Sequence, residues 1–324
     1  MGTLESIKRP IKQEMSTFDD RFRTHLSSNV PLVDRVMRYM VKRKGKQLRP
    51  ILVFLSAKIQ GSVTDSTYVG ASLVEIMHTA TLVHDDVVDD ADQRRGFFSI
   101  NALWKNKIAV LIGDYLLSKV LLVAVETKEY KLLEHVSGAV KAMSEGELLQ
   151  IEKARKLDIT EEVYFEIIQQ KTASLLETCC VVGAASAGGS EQEIEKFRML
   201  GRHLGLAYQI KDDLFDFERV NFTGKPAGID IKEQKMTLPL IKALQEADPK
   251  QRQHIIKTIK KYHDRPKKVQ EVVDFVRQSG GLAYARAKMI DHIEEAKKIL
   301  STLPKTEASD AFDLVLDYTM QRKK

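Results

Sequence analysis

Apolar residues recur at three- and four-residue spacing along most of the chain, as at Leu73, Ile76, Met77, Ala80, Val83 and Val87. That period predicts α-helices. No stretch alternates apolar and polar positions as a half-buried strand does, so the expected fold class is all-α. Residues 1–28 read as a charged, loosely attached helix, and Pro31 opens a second helix to about Lys44. An apolar helix over 51–59 stops at Gly61, and another begins near Thr64. Residues 108–125 are apolar nearly all round, against which stand only Asp114, Ser118 and Lys119. Such a helix belongs in a core or in a subunit contact, and a contact is the expectation. Helices over 128–149 and 160–187 follow, the second carrying Lys171 and Thr172 in its middle. Gly188-Gly189 ends it, and Ser190 with Glu193 has the spacing of a capping box for the next. Residues 221–234 read as a loop with Gly224-Lys225-Pro226 in it, a candidate mobile cover, and the remaining chain reads as helical.

A chain of 324 residues can bury a large core, and a single domain over 1–324 is expected. The formal charge of +6 is too small and too dispersed to indicate a nucleic-acid partner. Two adjacent cysteines, Cys179 and Cys180, exclude a disulfide framework and point to a reducing compartment. No apolar run is expected to reach the length of a membrane span, and no signal-peptide pattern opens the chain, so a cytoplasmic protein is expected.

The chemistry concentrates at His84-Asp85-Asp86-Val87-Val88-Asp89, at the end of the helix from Thr64. Asp85, Asp86 and Asp89 fall on one helix face, where they repel unless a cation lies among them. The same D-D-x-x-D spacing returns at Asp212, Asp213 and Asp216. With 22 aspartates, a random chain of this composition would hold roughly 0.1 such motif, so two copies favour a metal site over a solvated face. The donors are all hard oxygens, which suits magnesium, and magnesium held this way commonly also grips a substrate phosphate. Two such helices facing each other would hold a diphosphate through metal. Lys46 and Arg49, in the turn Gly45-Lys46-Gln47-Leu48-Arg49-Pro50, are candidate anion ligands. His78 lies two turns before Asp85 on nearly the same face, and Arg94-Arg95 sets two bidentate phosphate donors just past the first motif.

These phrases, together with Gly-Asp-Tyr-Leu-Leu (113–117), Lys-Thr (171–172) and Gln-Ile-Lys-Asp-Asp-Leu-Phe-Asp (209–216), resemble the trans-polyprenyl diphosphate synthases from residue 40 to the C-terminus. The resemblance implies a single large helical bundle around a deep central cavity, and a homodimer. It implies magnesium held by Asp85, Asp86, Asp89, Asp212, Asp213 and Asp216. It assigns Arg94, Lys171, Gln209, Lys211 and Lys225 to the allylic diphosphate, Lys46, Arg49, His78 and Arg95 to isopentenyl diphosphate, and Thr172 and Lys235 to substrate binding. Asp85, Asp86, Asp89, Lys171, Asp212, Asp213 and Lys225 would then be the catalytic set. Two departures are visible: Phe97-Phe98 follows Gly96 where relatives are more polar, and Lys235 follows Gln234 rather than a glycine.

Product length is the least constrained feature. A hydrocarbon growing from the Asp85 end would pass Thr81, Ala80 and Met77, and Thr81 lies about 6 Å along the axis from Asp85. Neither Ala80 nor Thr81 is bulky. In the resembling family an aromatic residue at either place marks farnesyl or geranylgeranyl products, so a hexaprenyl to decaprenyl product, near octaprenyl, is expected. Its use in quinone side chains and its transfer to membrane enzymes are further expectations. The alternatives are a short-chain synthase, a regulatory subunit of a heteromeric synthase, and a class I terpene cyclase, the last disfavoured by the aspartate-rich second motif.

Overall fold

The computed structural model describes residues 3–42, 45–94, 97–154, 157–218 and 228–322. The described chain is almost entirely helical and forms two compact units of interleaved sequence.

The first unit comprises residues 1–140, 178–198 and 303–312. Its opening helices are α1 (Thr3–Lys8), α2 (Lys12–Leu26), α3 (Pro31–Lys42), α4 (Leu48–Gln60) and α5 (Asp65–Val88). The N-terminal segment is not loosely attached, contrary to expectation. Ile7, Ile11, Met15, Phe18, Phe22 and Leu26 form one buried stripe at three- and four-residue spacing, and Phe18 packs edge-on against Phe54 of α4. The many charges between these positions conceal the stripe in a composition average. Helix α4 is buried on all sides from Ile51 to Ala57 and stops at Gly61. Helix α5 starts at a capping box between Thr64 and Thr67.

After α5 the chain makes a two-residue antiparallel ladder, β1 (Gln93–Arg94) with β2 (Phe97–Phe98), in register Gln93 to Phe98. Among the described residues these are the only strands, too short for any alternating pattern. Helix α6 (Ile100–Glu126) then packs along α5. Gly113 permits the close approach: a Cβ there would lie 2.0 Å from His84 Nε2. Ile112, Leu116, Val120, Val123 and Ala124 are buried on this side of α6. Val110, Leu111, Leu121, Leu122 and Val125 are exposed on another. By length and composition α6 could cross a membrane, which corrects the expectation that no run is long enough. Only two charges, Asp114 and Lys119, fall within 108–125, and they do not break the run.

The second unit comprises residues 141–177, 199–302 and 313–324. Helix α7 (Tyr130–Ala154) runs into it, followed by α8 (Glu161–Ile168), a π-helical turn over Gln169–Ala173, and α9 (Ser174–Ser186). The single helix expected over 160–187 is thus interrupted at Lys171-Thr172, and π turns inside helices are frequent at functional sites. Gly146 of α7 leaves room for this turn, since a Cβ there would lie 2.9 Å from the Lys171 nitrogen. The capping box at Ser190 and Glu193 opens α10 (Glu191–Glu218), which carries the second aspartate motif. Helices α11 (Ile229–Lys232), α12 (Leu238–Glu246), α13 (Pro249–Tyr262), α14 (Pro266–Gln278), α15 (Gly281–Ser301) and α16 (Glu307–Gln321) complete the chain.

Helices α10 and α15 meet at a histidine pair, with His203 Nδ1 3.0 Å from His292 Nδ1. Burial pushes both pKa values down, that of His292 to about 4 with the neighbouring His203 as the next cause. A folded-state pKa below the unfolded value means the neutral pair adds stability above pH 6.5 and loses it as pH falls toward about 4. The urea midpoint of a His292→Phe variant should therefore fall less over that window than the wild-type midpoint. Parallel curves would remove the pair from the pH response.

Candidate active site

In the first unit α5 ends at Val88, so Asp89 is its C-cap residue, with its N–H donating to the Asp85 carbonyl at 2.8 Å. Asp86 is buried, at 4% exposure, whereas Asp85 and Asp89 face solvent. The chain reverses at Asp90, whose φ is +47°, and the Ala91 N–H returns to the Asp86 carbonyl at 2.9 Å. Ser99 locks the far side of the strand pair by donating its hydroxyl to the Ala91 carbonyl at 2.6 Å. Tyr39 of α3 holds the same segment, donating to the Phe98 carbonyl at 2.6 Å and meeting Trp104 edge-on. Sequence patterns gave no signal for Tyr39 or Ser99, because both act on backbone atoms distant in sequence.

A cavity runs beside α5 past Glu75, His78, Thr79 and Asp86. Phe22, Leu26, Met37, Met40, Gln47, Phe97 and Phe98 also line it. The structure thus brings His78 and Asp86 to one space. Lys46 is exposed just before α4, and Arg49, in the first turn of α4, is half-buried with its Nε hydrogen-bonded to no protein atom. Met77 and Ala80 are buried in α5 and Thr81 is half-buried, and none of the three lines this cavity. Arg95 lies outside the described residues, as does the side chain of Arg94.

In the second unit the three aspartates of α10 each have distinct partners. Asp212 Oδ1 accepts from Arg322 Nη2 at 2.8 Å, and that guanidinium lies 3.7 Å over the Tyr208 ring. Asp213 is buried and accepts from the Tyr164 hydroxyl at 2.6 Å and the Gln209 amide at 2.8 Å. Asp216 accepts from the backbone N–H groups of Ile229 and Asp230 at 2.9 and 3.1 Å. Thr172 donates to the Gln209 carbonyl oxygen at 2.7 Å, which fixes the amide so that its N–H₂ faces Asp213. Lys171 pairs with Glu147 and Gln150, Lys235 with Glu233. Lys211 is largely buried over the Phe215 ring, and burial lowers its pKa. One cavity is lined by Lys171, Thr172, Gln209, Asp213, Lys235 and Asp230 among others. Lys225 lies outside the described residues.

Asp230, absent from the motif, changes the electrostatics. Burial first, and Asp230 second, push the Asp213 carboxyl well up, while burial and Asp216 push that of Asp230 up. Carboxylates that hold protons this tightly are short of positive charge. Among the described residues no three His, Cys, Asp or Glu side chains are already gathered as a metal-ligand set. The donor set nonetheless fits a hard divalent cation: it is all oxygen, and a cation would relieve the crowding of Asp212, Asp213, Asp216 and Asp230. Tyr164, Asp230 and Arg322 carried no local sequence signal. Arg322 reaches Asp212 across 110 residues (322 minus 212), and Tyr164 sits in an apolar stretch.

The sequence profile described as Polyprenyl synthetase matches residues 30–276. The chain is 34% identical over 320 residues to the octaprenyl diphosphate synthase of Escherichia coli, covering 98% of this chain and 99% of that protein. It is also 34% identical over 312 residues to the short chain isoprenyl diphosphate synthase of Methanothermobacter thermautotrophicus, covering 94% and 95%. A polyprenyl synthase from Caulobacter crescentus CB15, crystallised with calcium and isoprenyl diphosphate, superposes with a TM-score of 0.90 at 31% identity, covering 99% of this chain and 98% of that one.

Proposed function

The chain belongs to the polyprenyl synthetase family and is a prenyl diphosphate synthase, and from that premise we propose that it extends an allylic diphosphate with isopentenyl diphosphate, repeatedly, to a long all-trans product. The observation that carries this reading is the cavity of the second unit, where a lysine, a hydroxyl, an amide and a buried carboxylate converge at Lys171, Thr172, Gln209 and Asp213. Such a set of donors suits a diphosphate anion.

Asp85, Asp86, Asp89, Asp212, Asp213 and Asp216 are the residues that would hold magnesium. Held there, magnesium would supply positive charge to neutralise a departing diphosphate. Lys171, Thr172, Gln209, Lys211 and Lys235, with Arg94 and Lys225, bind the allylic diphosphate and orient its C–O bond for heterolysis. Lys46, Arg49, His78 and Arg95 bind isopentenyl diphosphate and aim its double bond at the allylic carbon. The new C–C bond forms as the allylic C–O bond breaks, and a proton then leaves the condensed chain, with the released diphosphate as its acceptor. Preorganised charge in a dry site does most of the catalytic work.

Purified protein incubated with farnesyl diphosphate, isopentenyl diphosphate and magnesium should yield products of six or more isoprene units. A product that stops at geranylgeranyl diphosphate would support the short-chain alternative, which the methanogen relative favours. No elongation at all would overturn the enzymatic reading in favour of a regulatory subunit.

The exposed stripe of α6, Val110 to Val125, supports a homodimer. Light scattering should give twice the chain mass at micromolar concentration, and a Leu121→Lys, Leu122→Lys variant should shift toward the monomer. A wild-type mass of one chain would exclude the dimer. We place the enzyme in the cytoplasm, where its product would pass to membrane-bound acceptors such as those that prenylate quinone rings.

A further inference from the structure

Helix α12 opens on Thr237, whose backbone is in the extended conformation usual for a helix N-cap and whose carbonyl accepts the first helical bond, from Ile241. Its side chain does not do what an N-cap threonine ordinarily does. A capping hydroxyl accepts from the N–H of the second or third helical residue. The second residue here is Pro239, which has no N–H, and the Thr237 hydroxyl makes no cap bond. Thr64, Ser99 and Thr160 in the same chain all make theirs.

The hydroxyl is also buried, on a residue only 5% exposed, and is hydrogen-bonded to no protein atom. Buried hydroxyls are seldom left this way, because their desolvation is then uncompensated. Thr237 lines the same cavity as Lys171, Thr172, Gln209 and Lys235. The positive end of a nine-residue helix, an unpaired hydroxyl and two lysines therefore meet in one space.

We propose that the N-terminus of α12 is part of the diphosphate seat, with Thr237 Oγ1 donating a hydrogen bond to a diphosphate oxygen of the allylic substrate. This rests on the synthase reading and extends it: Thr237 becomes a substrate-binding residue, and the helix dipole adds to the lysines in holding the leaving group. The helix N-terminus also explains why the hydroxyl is better left unpaired in the free protein. Its partner arrives with the ligand.

The experiment compares wild type with Thr237→Val, which keeps the shape and removes the donor, and with Thr237→Ser, which restores it. Binding of inorganic diphosphate with magnesium, and of farnesyl diphosphate without isopentenyl diphosphate, is measured by calorimetry, alongside melting temperature without ligand. Thr237→Val should bind both ligands about ten- to hundredfold more weakly, the loss of one charge-assisted bond. Its ligand-free melting temperature should be unchanged or higher, because an unpaired buried hydroxyl has been removed. Thr237→Ser should recover most of the affinity. In turnover, KM for the allylic diphosphate should rise while KM for isopentenyl diphosphate stays fixed. Wild-type affinity in Thr237→Val overturns the proposal, and so does a fall in melting temperature that Thr237→Ser reverses without recovering affinity, since the hydroxyl would then be structural. A wild-type protein that binds neither ligand overturns the synthase reading along with it, whereas wild-type binding and elongation with an indifferent Thr237→Val defeat this inference alone.

Discussion

Asp85→Ala and Asp212→Ala should each lower turnover by about two to three orders of magnitude at saturating magnesium, the usual consequence of removing a principal electrostatic stabiliser of a developing charge. Their effects on folding should differ. Asp85 faces solvent near the end of α5, so its removal opens no hole in the core, and circular dichroism and melting temperature should stay close to the wild-type values. Asp212 receives a bond from Arg322, whose side chain is only 5% exposed. Asp212→Ala leaves that guanidinium with the Tyr208 carbonyl and ring but without its counter-charge, a loss on the order of 1–3 kcal/mol. Because the Asp212 side chain is itself 42% exposed, water can replace part of what is lost and the lower end of that range is expected. Turnover and stability measured on the same preparations separate the two contributions. Undiminished turnover in a folded Asp85→Ala protein would show that the first motif does not carry metal in the reaction.

The helical architecture was legible because its signals are local. Gly61, Thr64 and the Ser190–Glu193 pair end or begin helices through atoms within four residues of themselves, and the structure has each in that role. The buried stripe from Ile7 to Leu26 is equally present in the sequence, but the frequent charges between its positions hide it in any composition average. The π turn at Lys171-Thr172 was not legible. It lies close against Gly146, a residue 25 positions away (171 minus 146) on a different helix, and a Cβ there would crowd the Lys171 backbone nitrogen.

The site divides along the same line. The aspartate motifs declare themselves by spacing alone, whereas their partners come from elsewhere in the chain: Tyr164 for Asp213, Arg322 for Asp212, the α11 backbone for Asp216. A pattern of residue types along a helix specifies which side chains share a face. It does not specify what stands opposite. Asp230 illustrates the point, since its effect on Asp213 depends on α11, whose first two N–H groups donate to Asp216 of α10.

Ala80→Tyr should convert a long-chain product into one of fifteen or twenty carbons. Ala80 precedes Asp85 by five residues, about 7.5 Å along α5, which is roughly the depth that the first units of an allylic tail would occupy below the diphosphate. It is fully buried, so the side chain at this place already contacts protein on all sides and a phenol ring has to displace its neighbours. Overpacking of this kind costs about 1–3 kcal/mol, and the variant should melt a few degrees lower while remaining folded. A ring that reaches beyond those neighbours would block a hydrocarbon path running past this part of α5. Thr81 offers no compensating room, because its hydroxyl is held by the His78 carbonyl at 2.9 Å. The cavity past Glu75, His78 and Asp86 is lined by neither Ala80 nor Thr81, which makes the experiment directional. Early termination in Ala80→Tyr places the growing chain on the Ala80 side of α5, and a full-length product from a folded variant places it elsewhere. A wild-type protein that itself stops at farnesyl or geranylgeranyl diphosphate would show that an open Ala80–Thr81 pair is not sufficient for length, and that residues on other helices set the floor.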